Sequence, residues 1–385
     1  MVDKQISVDD PVRRNPTEKK KPELSDGIGL ALSGGGYRAM LFQVGSLWRL
    51  YEAGIFPHLE RVASVSGASI TAAFLGIHFE KLLKQPHDPR SFRVQIAEPL
   101  RVLANCTIDD GAAQNGVILP GSIAAEAAEV YRAYLFGAKT LQDLPDRPSF
   151  VINCTNVQTG SLWRFSKPCM ADCRVGKLER PDVPLATVVA ASSAYPPVLS
   201  PVELRLDRAK VAPLEGADLH EEPYTSSATL TDGSFYDSLA LETVWKEYRT
   251  ILVSDAGAST TPEPSPKGDW GRHAHRILNI MDVQIRGLRK RQLIEQFREY
   301  LEHDGAYWGI GSHLSNYPVQ SRLECPARQT EALADIPTRL KQLLPGDQER
   351  LINWGYAITD VALRSHLPAR VPGGHVEFPY PDSGV

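Results

Sequence analysis

The sequence has few cysteines, no long apolar run and no excess of basic residues, and each shortage excludes a class of protein. Five cysteines among 385 residues are too few, and an odd number, for a fold held together by disulfides. No stretch approaches the ~18 to 20 consecutive apolar residues of a membrane-spanning helix. Lys and Arg number 42 against 46 Asp and Glu, a balance that argues against nucleic acid as a partner.

The first residues also lack the features of a targeting segment. The start MVDKQISVDD has no apolar stretch behind a basic one, which predicts a cytoplasmic protein. Residues 1–26 mix basic and acidic side chains with almost nothing apolar, so we expect a flexible N-terminal segment. The remaining chain is rich enough in apolar residues to bury a core, and any membrane contact is expected to be transient and peripheral.

Two strand–turn–helix units follow one another after this segment. The apolar run Ile28 to Leu32 ends in a glycine turn, and apolar residues three apart then continue as far as Gly54. A second short strand at 62–65 turns through Ser66 into the apolar segment 70–75. Tandem units of this kind predict a parallel sheet with covering helices.

The rest of the chain predicts a division into two parts. Strands are expected at 150–154 and 249–254, and a helix of small residues at 185–194. The proline-rich stretch 260–266 predicts a loop and a boundary, and segments 277–300 and 349–365 beyond it have helical spacing. We therefore expect an α/β domain over residues 27–257 and a mainly helical extension over residues 258–385 packed on it.

The glycine turn is a candidate anion site. Three successive glycines, Gly34 to Gly36, leave backbone N–H groups unshielded at the positive end of a helix dipole. Arg38 in the first helical turn either serves an anionic ligand or holds the loop. The string also satisfies the dinucleotide pattern G-x-G-x-x-A, but Glu60 precedes the second strand instead of ending it, which weakens that alternative. A plain tight turn remains the other interpretation.

The second turn offers a nucleophile. Ser66 lies between strand and helix, flanked by the small residues Ser64, Gly67 and Ala68 that a sharp turn requires. A helix-capping role is the structural alternative. A base is available at Asp232, which follows an extended stretch and precedes Gly233, although Asp-Gly turns are common.

Three ordered motifs together give a resemblance to a known family. The strings Ser33-Gly34-Gly35-Gly36-Tyr37-Arg38-Ala39, Ser66-Gly67-Ala68-Ser69 and Asp232-Gly233-Ser234 resemble those of the patatin-like phospholipases, over about residues 27–257. The resemblance implies a three-layer α/β/α sandwich with a mainly parallel central sheet. It also implies a Ser66–Asp232 dyad and an oxyanion hole of Gly34, Gly35, Gly36 and Arg38, with no metal or cofactor.

The motifs depart from the family pattern at small residues. Ser64 and Ala68 replace the two glycines of the usual G-x-S-x-G elbow, and Ala39 and Ser234 also differ from the usual residues. Each substitute is small enough for its turn. Ala68 is the position of concern, because alanine tolerates a positive φ poorly.

The expected chemistry is hydrolysis of phospholipid or other acyl esters through an acyl-serine intermediate. One alternative is a Ser-Asp-His hydrolase that uses a histidine downstream of Asp232. Another is a lipid-binding or scaffold protein that has lost activity on this fold. The histidines open to the first alternative are His273, His275, His303, His313, His366 and His375.

Neither Cys169-x-x-x-Cys173 nor His273-x-His275 has the partners of a metal site.

The segment 277–300 allows two interpretations. It carries Met281, Ile285 and Leu288 beside several arginines that include Arg286. A helix that packs on the core and exposes its basic face is the favoured one, and a membrane-facing amphipathic helix is the alternative.

Overall fold

A ten-stranded β-sheet forms the centre of the protein. The computed structural model describes residues 23–109, 122–257, 259–260, 262–300, 303–371 and 376–385. The strands are β1 (Ser25–Leu32), β2 (Leu59–Val65), β3 (Ser149–Asn156), β4 (Ser161–Phe165), β5 (Cys169–Asp172), β6 (Gly176–Glu179), β7 (Val202–Arg205), β8 (Ser227–Asp232), β9 (Tyr248–Asp255) and β10 (Asp304–Gly309). The helices are α1 (Gly36–Glu52), α2 (Gly67–Leu83), α3 (Pro89–Phe92), α4 (Glu98–Leu103), α5 (Ser122–Tyr131), α6 (Leu185–Ser192), α7 (Ser234–Asp237), α8 (Glu242–Trp245), α9 (Trp270–Glu295), α10 (Ala327–Ala334) and α11 (Pro345–His366).

Parallel strands form the centre of the sheet, in the order β10-β9-β1-β2-β3. Antiparallel strands β4, β5 and β6 continue the sheet from β3, which also pairs with β8, and β7 pairs with β8. The parallel strands agree with the tandem strand–helix units predicted from the sequence, because parallel neighbours need a crossover helix.

The two faces of the sheet are both buried, which gives three layers. Along β1, Leu30 and Leu32 belong to one apolar cluster, whereas Ala31 between them belongs to another. The same alternation separates Leu252 from Val253 on β9, as expected when successive side chains point to opposite faces. Helices α1, α2, α6 and α11 contribute to the first cluster, and α8 and the end of α9 to the second. The prediction of an α/β/α sandwich is confirmed.

Two parts of this fold were not predicted. Strand β10 comes from the extension expected to be mainly helical, and it pairs in parallel with β9 at the edge of the central sheet. The antiparallel strands β4 to β7 lie where loops were expected, whereas β8 covers the extended stretch expected before Asp232. Of the segment 1–26, residues 1–22 lie outside the described part, and β1 begins at Ser25. Among the described helices, none is both long and apolar enough to cross a membrane.

Candidate active site

The strand register brings the predicted site residues to one edge of the sheet. Leu32 of β1 aligns with Ser64 of β2, so the glycine turn and the serine turn leave neighbouring strands at the same level. Val65 aligns with Asn153 of β3. The next residue of β3, Cys154, aligns with Asp232 at the end of β8. Residues from three separate motifs therefore meet where the carboxyl ends of the parallel strands lie.

Ser66 occupies a strained turn between β2 and α2. Its backbone has φ 56° and ψ −135°, a left-handed conformation that is rare outside glycine. The side chain is only 6% exposed, and it lines two adjoining cavities. Ala68, the position of concern in the sequence, lies within α2 and is absent from the residues with positive φ, so its Cβ meets no such strain. That concern was wrong, because the unusual backbone falls on Ser66.

The glycine turn lies directly against the serine turn. A Cβ on Gly34 would lie 2.5 Å from Cβ of Ser66, and one on Gly67 would overlap the carbonyl group of Gly36. Gly35 and Gly36 have φ values of 144° and 61°, which glycine adopts without penalty. Within the described part of the chain, no hydrogen bond uses the amides of Gly34, Gly35 or Gly36 as donors. These N–H groups remain available beside the Ser66 hydroxyl.

Asp232 is completely buried beside Ser66. Its Oδ1 accepts a hydrogen bond from the amide of Ser234 at 2.9 Å. Its Oδ2 makes no hydrogen bond of normal geometry to any described residue. The hydroxyls of Ser66 and Ser234 nevertheless lower the pKa of the carboxyl group. Burial raises the pKa of Asp232 to about 6, and these three donors hold it from rising further. A carboxyl group with this pKa is a competent proton acceptor near neutral pH.

Hydrogen-bonded serine side chains surround the backbone of the turn at Ser66. The amide of Ser66 donates to Ser192 Oγ at 3.1 Å, and Ser192 Oγ donates to the carbonyl of Asn153 at 2.8 Å. Ser69 Oγ donates to Ser64 Oγ at 3.0 Å and lies 2.9 Å from Ser192 Oγ. Ser64 is thus part of this network. A role for Ser192 was not predicted, because its partners Ser66 and Asn153 lie far away in the sequence.

The side chain of Arg38 is hydrogen-bonded to two loops of the protein. Its guanidinium donates to the carbonyl of Ala256 and, from the C-terminal part of the chain, to the carbonyl of Ile336 and to Oγ1 of Thr338. Burial and the nearby Arg286 lower the pKa of Arg38 to about 10, which leaves it charged at neutral pH. The sequence allowed two roles for Arg38, binding an anionic ligand or holding the loop. These contacts agree with the second role.

The loop that Arg38 holds covers the glycine turn. Arg339 accepts a hydrogen bond at its carbonyl from the amide of Tyr37 at 3.0 Å, and its side chain pairs with Asp109. The amide of Leu340 donates to the same carboxylate at 3.0 Å. Residues 335–340 therefore form part of the candidate site, although they lie more than 250 residues after Ser66 in the sequence.

Two cavities meet at Ser66. The larger, about 440 Å³, has both polar and apolar lining and includes the polar side chains of Asn279, Asp282 and Arg286 of α9. The smaller, about 250 Å³, is lined in part by the segment 196–199 and Leu340, which are apolar. An ester that reached Ser66 could place chemically different groups on either side of the scissile bond.

His275 is the histidine that lines these cavities among those described. Its Nδ1 lies 3.3 Å from the amide nitrogen of Asn279, and no hydrogen bond of the described residues links it to Ser66 or Asp232. His303 is buried at Tyr248, and His375 lies outside the described residues. The described residues contain no cluster of His, Cys, Asp and Glu suited to a metal ion.

The favoured interpretation of segment 277–300 was wrong for its first half. Helix α9 exposes Met281 and Leu288 to solvent and buries Arg286 at the larger cavity. The last turn of α9, with Leu293 buried and Ile294 partly buried, packs on the core together with Phe297 just after the helix. The opposite orientation was expected because periodicity shows that a helix has two faces without showing which of them faces inward.

Comparisons with known proteins show the family and the fold of the chain. The sequence model of one family, described as Patatin, patatin-like phospholipase, matches residues 30–245. This range contains all three motifs. No curated protein sequence matches the chain.

Two similar solved structures are of human GIVD cytosolic phospholipase A2. One has a TM-score of 0.50 at 13% identity and covers 88% of this chain and 58% of that chain. The other, in complex with methyl gamma-linolenyl fluorophosphonate, has a TM-score of 0.50 at 16% identity and covers 90% and 60%. At these identities the likeness concerns the fold alone, and the chain spans about three fifths of those proteins.

Proposed function

The chain belongs to the patatin-like phospholipase family, and on that premise we propose that it is a lipid acyl hydrolase with a Ser66–Asp232 dyad. The observation that carries the proposal is the buried carboxylate of Asp232, with a raised pKa and an unbonded Oδ2, beside the strained Ser66. A nucleophile, a base and unused amide donors in one buried place are the requirements of acyl transfer.

In the proposed first step Asp232 Oδ2 takes the hydroxyl proton of Ser66 as Oγ attacks the ester carbonyl carbon. The electron pair of the carbonyl bond moves onto oxygen, which the amides of the glycine turn and the N-terminus of α1 would stabilise. The intermediate collapses to an acyl-serine when the alcohol leaves with the proton from Asp232. Water then attacks the acyl-serine as Asp232 takes its proton, and the fatty acid is released when Asp232 returns that proton to Ser66 Oγ.

The two cavities support an assignment of the substrate's ends. We place the acyl chain in the smaller cavity, where Val198, Leu199 and Leu340 are apolar. The polar alcohol half would occupy the larger cavity beside Asn279 and Arg286. The similar structure that holds a linolenyl fluorophosphonate supports the idea that a fatty chain fits this fold.

Hydrolysis of a fluorogenic short-chain acyl ester and of a phospholipid tests the proposal. We expect Ser66→Ala and Asp232→Asn to lower kcat about a thousandfold or more, because each removes a reacting group. Ser265→Ala, at an exposed loop residue that lines neither cavity, is the matched control and should behave as the wild type. Wild-type protein that hydrolyses neither ester faster than Ser66→Ala would overturn the proposal and favour the inactive lipid-binding alternative.

A further inference from the structure

Helix α9 carries an unusual concentration of exposed apolar side chains. Of the twelve exposed large apolar side chains among the described residues, six lie on this one helix. They are Trp270, Ile277, Ile280, Met281, Ile285 and Leu288. Single exposed apolar residues are common on any protein, but a cluster on one element marks an interaction site.

The apolar residues form a stripe along the outer face of the helix. Trp270, Ile277, Met281 and Leu288 lie within about 20° of one line, because each residue advances the helix by about 100°. Asn279 and Arg286, on the opposite side, line the larger cavity. The helix therefore turns its polar face toward the protein and its apolar face toward solvent, the reverse of an ordinary surface helix.

The charge of the helix is also opposite to that of the chain. Six Lys and Arg stand against two acidic residues in α9, whereas the chain has a net charge of −4. His273 and Arg291 are exposed at about 60° from the stripe, whereas Arg272 lies on the far side of the helix and pairs with Asp269. An apolar stripe on a helix of net positive charge, with Arg291 exposed beside it, is suited to the boundary between headgroups and acyl chains of an anionic lipid surface.

We propose that the outer face of α9 docks on an anionic lipid surface and sets the mouth of the catalytic cavity against it. The same helix forms one wall of the larger cavity, so docking along its outer face brings a lipid molecule close to Ser66. The identity of that lipid as substrate rests on the proposed function, whereas the docking itself does not. A hydrolase that works on lipid needs such a surface, because its substrate does not leave the bilayer readily.

The test is co-sedimentation of the full chain with vesicles of phosphatidylcholine containing phosphatidylserine, and with vesicles of phosphatidylcholine alone. The double variant Met281→Gln/Leu288→Gln should bind about tenfold or more weakly, since two apolar side chains no longer enter the lipid. Glutamine keeps the helix, because its helix propensity is close to that of methionine and leucine. Val94→Gln, at a residue that is 67% exposed on another helix, is the matched control and should bind as the wild type.

Activity on two substrates separates docking from catalysis. The double variant should hydrolyse a soluble, monomeric ester at the wild-type rate. Its rate on phospholipid in vesicles should be at most about a tenth of the wild-type rate. Ser66→Ala should bind vesicles as the wild type does. A wild type that binds vesicles but hydrolyses neither ester would refute the proposed function and leave docking intact. Wild type that sediments with neither vesicle, or a double variant that binds equally well, would overturn docking. So would a wild-type dimer that the double variant dissociates, because the stripe would then join two copies of the chain.

Discussion

The guanidinium of Arg38 donates two hydrogen bonds to the carbonyl oxygen of Ala256, from Nε at 3.2 Å and from Nη2 at 3.0 Å. Arg38 stands in the first turn of the helix that follows the glycine turn, and Ala256 directly follows β9. This contact joins the glycine turn to the next strand of the sheet, and further bonds from the same side chain reach Ile336 and Thr338. Arg38 is thus placed to hold the shape of the site.

Arg38→Lys tests whether this residue positions the loops. Lysine keeps the charge but cannot reproduce the fork of donors, so the buried carbonyl group of Ala256 and the half-buried one of Ile336 lose partners. We expect the free energy of unfolding in urea to fall by about 1 to 3 kcal/mol, and kcat to fall more than KM rises. Arg147→Lys, at a side chain that is 81% exposed, is the control. A higher KM with unchanged stability would show instead that Arg38 binds the substrate.

The raised pKa of Asp232 predicts the pH profile of the activity. Asp232 accepts a proton only when it is ionised, and its pKa is about 6. We expect kcat/KM to rise about tenfold per pH unit below about pH 6 and to level off above about pH 7. Asp282 contributes to the raised pKa, so Asp282→Asn should move the profile toward lower pH. A wild-type profile that stays flat down to about pH 4.5 would contradict the assignment of Asp232 as the base.

The raised pKa of Asp232 also predicts that its carboxylate lowers the stability of the folded protein. Between its ordinary value of 3.8 and about 6, the folded protein binds more protons at Asp232 than the unfolded chain, so its contribution to stability falls as the pH rises through this range. At about pH 8 we expect Asp232→Asn to raise the free energy of unfolding by about 1 to 3 kcal/mol. Asp304→Asn, at an exposed carboxylate, should have little effect. Urea denaturation that finds Asp232→Asn less stable than the wild type at this pH would show that the charge is well compensated.

His275→Ala distinguishes the dyad from a triad. Because His275 contacts Asn279 and makes no hydrogen bond to Ser66 among the described residues, its loss should leave more than about a tenth of kcat. The pH profile should keep the same midpoint, which Asp232 sets. A fall of about a thousandfold, comparable with that of Ser66→Ala, would place a histidine in the reaction.

The strand–turn–helix units at Gly34 and Ser66 could be predicted because their signals are local. Apolar spacing changes from strand to helix within a few residues on either side of each turn, and small residues mark the turn itself. The position of Asp232 beside Ser66 does not follow from such a pattern. It depends on the registers of β2 with β3 and of β3 with β8, which are set by contacts between distant segments.

Other features of the site were not predictable because their partners are remote in sequence. The contacts of Arg38 with Ile336 and Thr338 span about three quarters of the chain. Ser192 supports Ser66 from a helix whose composition signals only tight packing. The outer face of α9 was placed inward, because a hydrophobic pattern favours burial unless a partner surface is known.

Covalent labelling with a long-chain alkyl fluorophosphonate tests the central claim most directly. Ser66 Oγ would bond to phosphorus as fluoride leaves, and Asp232 would take the proton. Intact-mass measurement should find one adduct on the wild type, assigned to Ser66 after digestion, and none on Ser66→Ala. The labelling rate of Asp232→Asn should be at most about a hundredth of the wild-type rate, because the carboxylate that takes the proton of Ser66 is lost. Equal labelling of the wild type and Ser66→Ala, or a wild type that hydrolyses esters without being labelled, would contradict the account.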